Sequence, residues 1–71
     1  MEMIPVNSSN VGSIGYDPES ATLRIEYLKG GIYDYQGVPF EVYEGLVGAA
    51  SKGDFVNQFI KKGGYPFAKI S

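Results

Sequence analysis

Tyr33-Asp34-Tyr35-Gln36-Gly37-Val38-Pro39 is the stretch whose reading decides the fold. Before it, apolar and polar residues alternate; after it, apolar residues recur every three or four positions. The hydrophobic period therefore changes from that of a strand to that of a helix across this turn. Val38-Pro39 suits a helix start, because proline has a helical φ and lacks only an N–H that the first turn leaves unpaired. Glu41 just beyond it favours the positive end of the helix.

Working upstream, residues 21–27 alternate strictly. Leu23, Ile25 and Tyr27 share one face and Thr22, Arg24 and Glu26 the other, the pattern of a half-buried antiparallel strand. An earlier strand spans Val11 to Tyr16, where Gly12 and Gly15 mark a bulge or a close approach of another backbone. Asp17-Pro18-Glu19-Ser20 turns the chain between the two, and residues 6–10 form a polar lead-in held by side chain to backbone bonds.

The turn Leu28-Lys29-Gly30-Gly31 leaves two registers open. A two-residue Lys29-Gly30 turn sets Tyr27 opposite Ile32 and puts Tyr33 and Tyr35 on the polar face. A three-residue Leu28-Lys29-Gly30 turn, with Gly30 left-handed as a bulge, sets Tyr27 opposite Gly31 and puts both tyrosines with Leu23 and Ile25 in the core. The second is preferred, because a small core needs its rings inside and Asp34 then joins Arg24 and Glu26 in water.

Downstream, Tyr43, Leu46, Val47 and Ala50 recur at helical spacing. Gly45 and Gly48 each cost about 1 kcal/mol against alanine inside a helix, which implies close packing there. Ser51-Lys52-Gly53-Asp54 reads as a cap for a second helix over about residues 52–62, with Phe55, Val56, Phe59 and Ile60 inward and Gly63-Gly64 ending it. Tyr65-Pro66-Phe67 folds back on the body and residues 68–71 hang loose. The expected architecture is α+β: a three-stranded antiparallel β-meander followed by two α-helices packed on one face. It forms a single domain over residues 1–71, with an ordered core at about 6–67.

Composition narrows the chemistry. The chain has 71 residues, no cysteine and no histidine, so disulfides, ordinary zinc ligands and the commonest catalytic bases and nucleophiles are all missing. No enzyme activity, cofactor or metal is expected. Glu41 and Glu44 read as a solvated helix face, and the Gly48 to Gly53 spacing lacks the Lys and Ser or Thr of a phosphate loop. No apolar run reaches membrane-span length and the N-terminus lacks signal-peptide blocks, so a cytoplasmic protein is expected.

Net charge is −2, against a general nucleic-acid binder. The distribution is uneven: residues 51–71 hold Lys52, Lys61, Lys62 and Lys69 against Asp54 alone, so an anionic partner would prefer this third.

Six tyrosines and four phenylalanines supply much of the core and also the candidate binding groups. Tyr16, Tyr33 and Tyr35, with Arg24 or Lys29 for phosphate, make a stacking platform in the first register; in the second, only their hydroxyls reach the rim. Ser51 and Lys52 begin a helix whose free N–H groups suit an anion, and Asn57 lies along it. Capping for Ser51 and a helix-to-loop hydrogen bond for Asn57 are the structural alternatives.

In order and spacing, Ser8-Ser9, Ile14-Gly15-Tyr16-Asp17, Leu23-Ile25-Tyr27, Gly30, Tyr33-Asp34-Tyr35, Val38-Pro39, Tyr43, Leu46, Ala50-Ser51-Lys52-Gly53, Asn57 and Ile60 resemble the KTSC family. These short domains occur at the C-terminus of some lysyl-tRNA synthetases and also alone, and the resemblance runs from about Val6 to Tyr65. For function the resemblance suggests RNA binding, mainly from the synthetase association.

Three functions are therefore expected in order. The first is non-catalytic binding of RNA or a nucleotide-like ligand through aromatic and helix-terminus groups. The second is a homo-oligomer, of phage-type or bacterial setting, that sequesters a small nucleotide signal. The third is a protein–protein interaction domain using a sheet edge or exposed rings.

Overall fold

The computed structural model describes residues 1–71. Five strands, β1 (Ile4–Pro5), β2 (Val11–Asp17), β3 (Thr22–Tyr27), β4 (Gly31–Tyr35) and β5 (Phe67–Lys69), form one antiparallel sheet in the order β1-β2-β3-β4-β5. Helix α1 (Phe40–Gly48) follows β4, and α2 (Lys52–Phe55) continues as a π-helical segment over Val56–Lys61. The α+β class holds, but the three-stranded meander is corrected to five strands.

Both added strands escaped the sequence for the same reason: two and three residues are too few to establish a period of two. β1 includes Pro5, which is tolerated because an edge strand can spare a ladder donor. The tail expected to hang loose supplies the opposite edge. Lys69, Ala68 and Phe67 pair with Tyr33, Asp34 and Tyr35, Ile70 donates its N–H to Ile32 O at 2.8 Å, and Ser71 O accepts from Ile32 N at 2.9 Å.

The β3–β4 hairpin takes the three-residue register. Tyr27 pairs with Gly31, Ile25 with Tyr33 and Leu23 with Tyr35, so all three tyrosines share the face that carries Leu23 and Ile25. One detail differs: the left-handed residue is Gly31, at φ 85°, and not Gly30.

The helices cover that face. Leu46 of α1 and Val56 and Ile60 of the second helix close over Val11, Ile14, Leu23, Ile25, Tyr35 and Val38 to make one apolar cluster. At roughly 1.5–3 kcal/mol for each fully buried apolar side chain, these nine residues are the main source of stability. Gly45 lets the helices approach, since a Cβ there would lie 2.8 Å from Phe55 Cζ. Gly48, by contrast, has open space beside it and permits no close contact.

On the opposite face Arg24 and Asp34 form a bidentate pair at 2.7 and 2.9 Å, Ser13 donates to Glu26 at 2.7 Å, and Thr22 donates to Gln36 at 2.9 Å. Cross-strand polar pairs of this kind hold register without an apolar cover. The bulge in β2 falls between Val11 and Ser13, at Gly12. Gly15 lies against the N-terminal segment, where a Cβ would meet Met3 Sδ at 2.7 Å and Glu2 O at 2.9 Å.

Candidate functional site

Because Tyr27 pairs with a glycine, the helix-facing side of the sheet is left bare beside its ring. Of the helical residues, only Lys61 at the end of the second helix borders this corner. A cleft of about 590 Å³ opens there, lined by Ser9, Asn10, Tyr27, Leu28, Lys29, Gly30, Tyr33, Tyr35, Lys61 and Phe67. That volume lies within the roughly 300–1,000 Å³ of small-ligand sites.

The floor is aromatic. Tyr27 and Tyr33 meet edge to face with ring centres 5.7 Å apart, Tyr33 and Tyr35 lie 6.4 Å apart, and Phe67 is 6.1 Å from Tyr33 and 5.7 Å from Tyr35. Tyr35 is buried at 3% exposure, whereas Phe67 of the edge strand is 64% exposed and Leu28 at the hairpin tip 58%. The hydroxyls of Tyr27 and Tyr35 are hydrogen-bonded at 2.7 Å.

Burial, and then its bond to Tyr35, push the Tyr27 phenol well above its usual ionisation range. Burial also raises Tyr35, with the Tyr27 bond opposing it.

Cations form the rim. The Lys61 ammonium stands 5.2 Å above the Tyr27 ring centre, and Lys29 extends from the hairpin turn. No carboxylate lines the cleft. In a chain of net charge −2, this places the local sign opposite to the overall one.

A second pocket of about 180 Å³ adjoins the first and shares Asn10, Tyr27 and Lys61 with it, adding Val11, Gly53, Val56 and Asn57. Gly53 forms part of its wall, where a Cβ would lie a tight 3.1 Å from Asn10 Nδ2. The π-helical winding of Val56–Lys61 carries Asn57 and Lys61, and such segments are rare and often found at functional sites.

Of the eight residues singled out in the sequence, Lys29, Tyr33 and Tyr35 line the cleft and Asn57 lines the adjoining pocket. The other four lie elsewhere. Tyr16 stacks on Tyr43 at 5.0 Å and donates its hydroxyl to Val38 O at 2.6 Å, a packing role beside α1. Arg24 is on the opposite face, where its bond to Asp34 raises its pKa further. Ser51 accepts from Asp54 N at 3.2 Å as a helix cap, and Lys52 Nζ donates to Ala49 O at 2.8 Å.

Sequence reasoning did not place Asn10, Tyr27, Leu28 or Phe67 in a site. Tyr27 read as an ordinary core position, and Phe67 enters only through β5 pairing. The aromatic in Tyr65-Pro66-Phe67 was the one available signal. No group of three or more His, Cys, Asp or Glu side chains is clustered for a metal ion, and no helix is long and apolar enough to cross a membrane.

The KTSC domain family model matches residues 7–65. A crystal structure of a KTSC domain protein from Yersinia pestis superposes with a TM-score of 0.94 at 40% identity, covering 99% of this chain and 97% of that one. A protein of Stutzerimonas stutzeri strain A1501 is 39% identical over 70 residues, 99% of both chains. The lysine–tRNA ligase of Nostoc sp. is 35% identical over 69 residues, which are 97% of this chain but 12% of the ligase. With the family model spanning most of the chain and full-length relatives at this identity, the chain belongs to the KTSC domain family.

Proposed function

We propose that the domain binds a nucleotide unit in the Tyr27–Tyr33–Phe67 cleft, without catalysing a reaction on it. The carrying observation is an aromatic floor rimmed by Lys29 and Lys61 with no carboxylate, in a chain that is acidic overall. Aromatic rings accept the face of any base, at roughly 1–3 kcal/mol per stacked base, and the two ammonium groups neutralise phosphate. The volume suits one base with its sugar and phosphate and not a duplex.

The unit could be a free nucleotide or an unpaired residue of RNA; the presence of similar sequence in lysine–tRNA ligases supports the second source. Titration of the domain by calorimetry with the four ribonucleoside 5′-monophosphates, and by fluorescence anisotropy with a labelled single-stranded oligoribonucleotide and a tRNA, separates them. Saturable binding in either arm that Tyr33→Ala weakens by roughly 1–3 kcal/mol supports the reading. Failure of every probe at millimolar mononucleotide and micromolar RNA in low salt overturns it.

A second reading is favoured by the exposed Leu28 and Phe67: the cleft rim joins two copies of the chain, with the ligand enclosed between them. Light scattering decides it. A dimer dispersed by Phe67→Ser supports the arrangement, and a monomer at every concentration removes it.

A further inference from the structure

The two pockets are not separate sites. They share Asn10, Tyr27 and Lys61, and the Lys61 ammonium above the Tyr27 ring marks the boundary between them. The larger compartment is aromatic and the smaller is polar, with the Asn10 side chain beside Gly53 and Asn57 among its lining residues. The smaller compartment measures about 180 Å³ and opens to solvent.

Asn57 lies exposed on the helix. It makes no bond to a loop: neither its amide nor that of Asn10 takes part in any side-chain hydrogen bond of the fold. Asn10 contributes to the fold through its backbone, its O accepting from Leu28 N at 2.9 Å. Two exposed asparagines thus line one pocket with amides that the fold itself does not use, beside a cation and with no carboxylate present.

Resting on the nucleotide reading above, the geometry points to a two-part ligand, a dinucleotide-type phosphodiester and not a mononucleotide. Its base lies on Tyr33 and Phe67 in the large compartment. The linking phosphate meets Lys61 at the divide, and the sugar hydroxyls beyond the phosphate bond Asn10 and Asn57 in the small compartment. The division of labour follows from chemistry: rings supply stacking without hydrogen-bond direction, while amides supply donors and acceptors suited to a sugar.

The test uses the intact chain and two probes, adenosine 5′-monophosphate and the dinucleotide adenylyl-(3′→5′)-adenosine, titrated by calorimetry. The dinucleotide is expected to bind about tenfold tighter, the worth of one or two hydrogen bonds. Asn57→Leu, which fills the small compartment from an exposed position, is expected to remove that advantage while leaving the monophosphate affinity unchanged. Equal affinity of the wild-type protein for both probes overturns the two-part site but leaves the nucleotide reading standing. An equal loss for both probes in Asn57→Leu also overturns it, since the compartments would then be one. Binding of neither probe overturns this proposal together with its premise.

Discussion

The hydroxyls of Tyr27 and Tyr35 meet at 2.7 Å across neighbouring strands, beneath the cleft that Lys61 overhangs. That contact ties the floor of the candidate site to the core, because Tyr35 is almost fully buried while Tyr27 is open on its cleft side.

Alkaline pH should loosen this floor. A free tyrosine ionises near pH 10, and burial followed by the Tyr35 bond raises Tyr27 above that value. A raised acid pKa means that the fold holds the proton more tightly than the unfolded chain does. The stabilisation is therefore full below about pH 10 and is lost as pH rises above it. Thermal melts at pH 8 to 11 are expected to show a falling melting temperature above about pH 10, with a shallower fall in Tyr27→Phe. The same slope in both proteins would remove Tyr27 as the cause.

The hairpin glycines should differ in tolerance. At Gly31 the φ of 85° costs an L-residue about 1–2 kcal/mol, and an added Cβ would also run into Ser71 O of the β5 extension. Gly31→Ala is expected to lose at least about 2 kcal/mol in urea denaturation. Gly30→Ala, whose Cβ would approach Tyr27 Cβ at 3.3 Å without a positive φ, should stay within about 0.5 kcal/mol. The reverse order would place the bulge back at Gly30.

Arg24 should matter for stability and not for binding. Its guanidinium is one-third exposed and paired with Asp34 on the face opposite the cleft. A partly exposed cross-strand pair contributes at most about 1 kcal/mol, less in high salt. Arg24→Ala is expected to lower denaturation stability by that order while nucleotide affinity stays unchanged; a tenfold loss of affinity would put the ligand on the wrong face.

Ring truncation and salt should separate stacking from charge in the cleft. Tyr33→Ala and Phe67→Ala are each expected to cost roughly 1–3 kcal/mol of RNA or nucleotide binding. Phe67→Ala should scarcely change stability, since that ring is mostly exposed. Lys61→Gln should reduce the slope of log affinity for a single-stranded oligoribonucleotide against log salt by about 0.7, one phosphate contact. An unchanged slope would remove Lys61 from the phosphate path.

The strand pairing of β3 with β4 was legible because alternation over Leu23, Ile25 and Tyr27 fixed the buried face, and register then carried Tyr33 and Tyr35 to it. The site was less legible. Lys29, Tyr33, Tyr35 and Asn57 stand out by residue type, but so do Tyr16, Arg24, Ser51 and Lys52, which the fold uses for packing, pairing and capping.

By itself the sequence determined the α+β class, the turn at residues 33–39 where sheet gives way to helix, the family and the hairpin register preferred. These depend on periodicity and turn chemistry, which act over a few neighbouring residues. Tertiary structure alone decided the two edge strands, the left-handed Gly31 and the cleft. A three-residue strand such as Phe67–Lys69 has no pattern of its own and exists because β4 offers unpaired N–H and C=O groups. The cleft joins residues from 9 to 67 that only the folded sheet and second helix bring together, with Phe67 supplied by that strand.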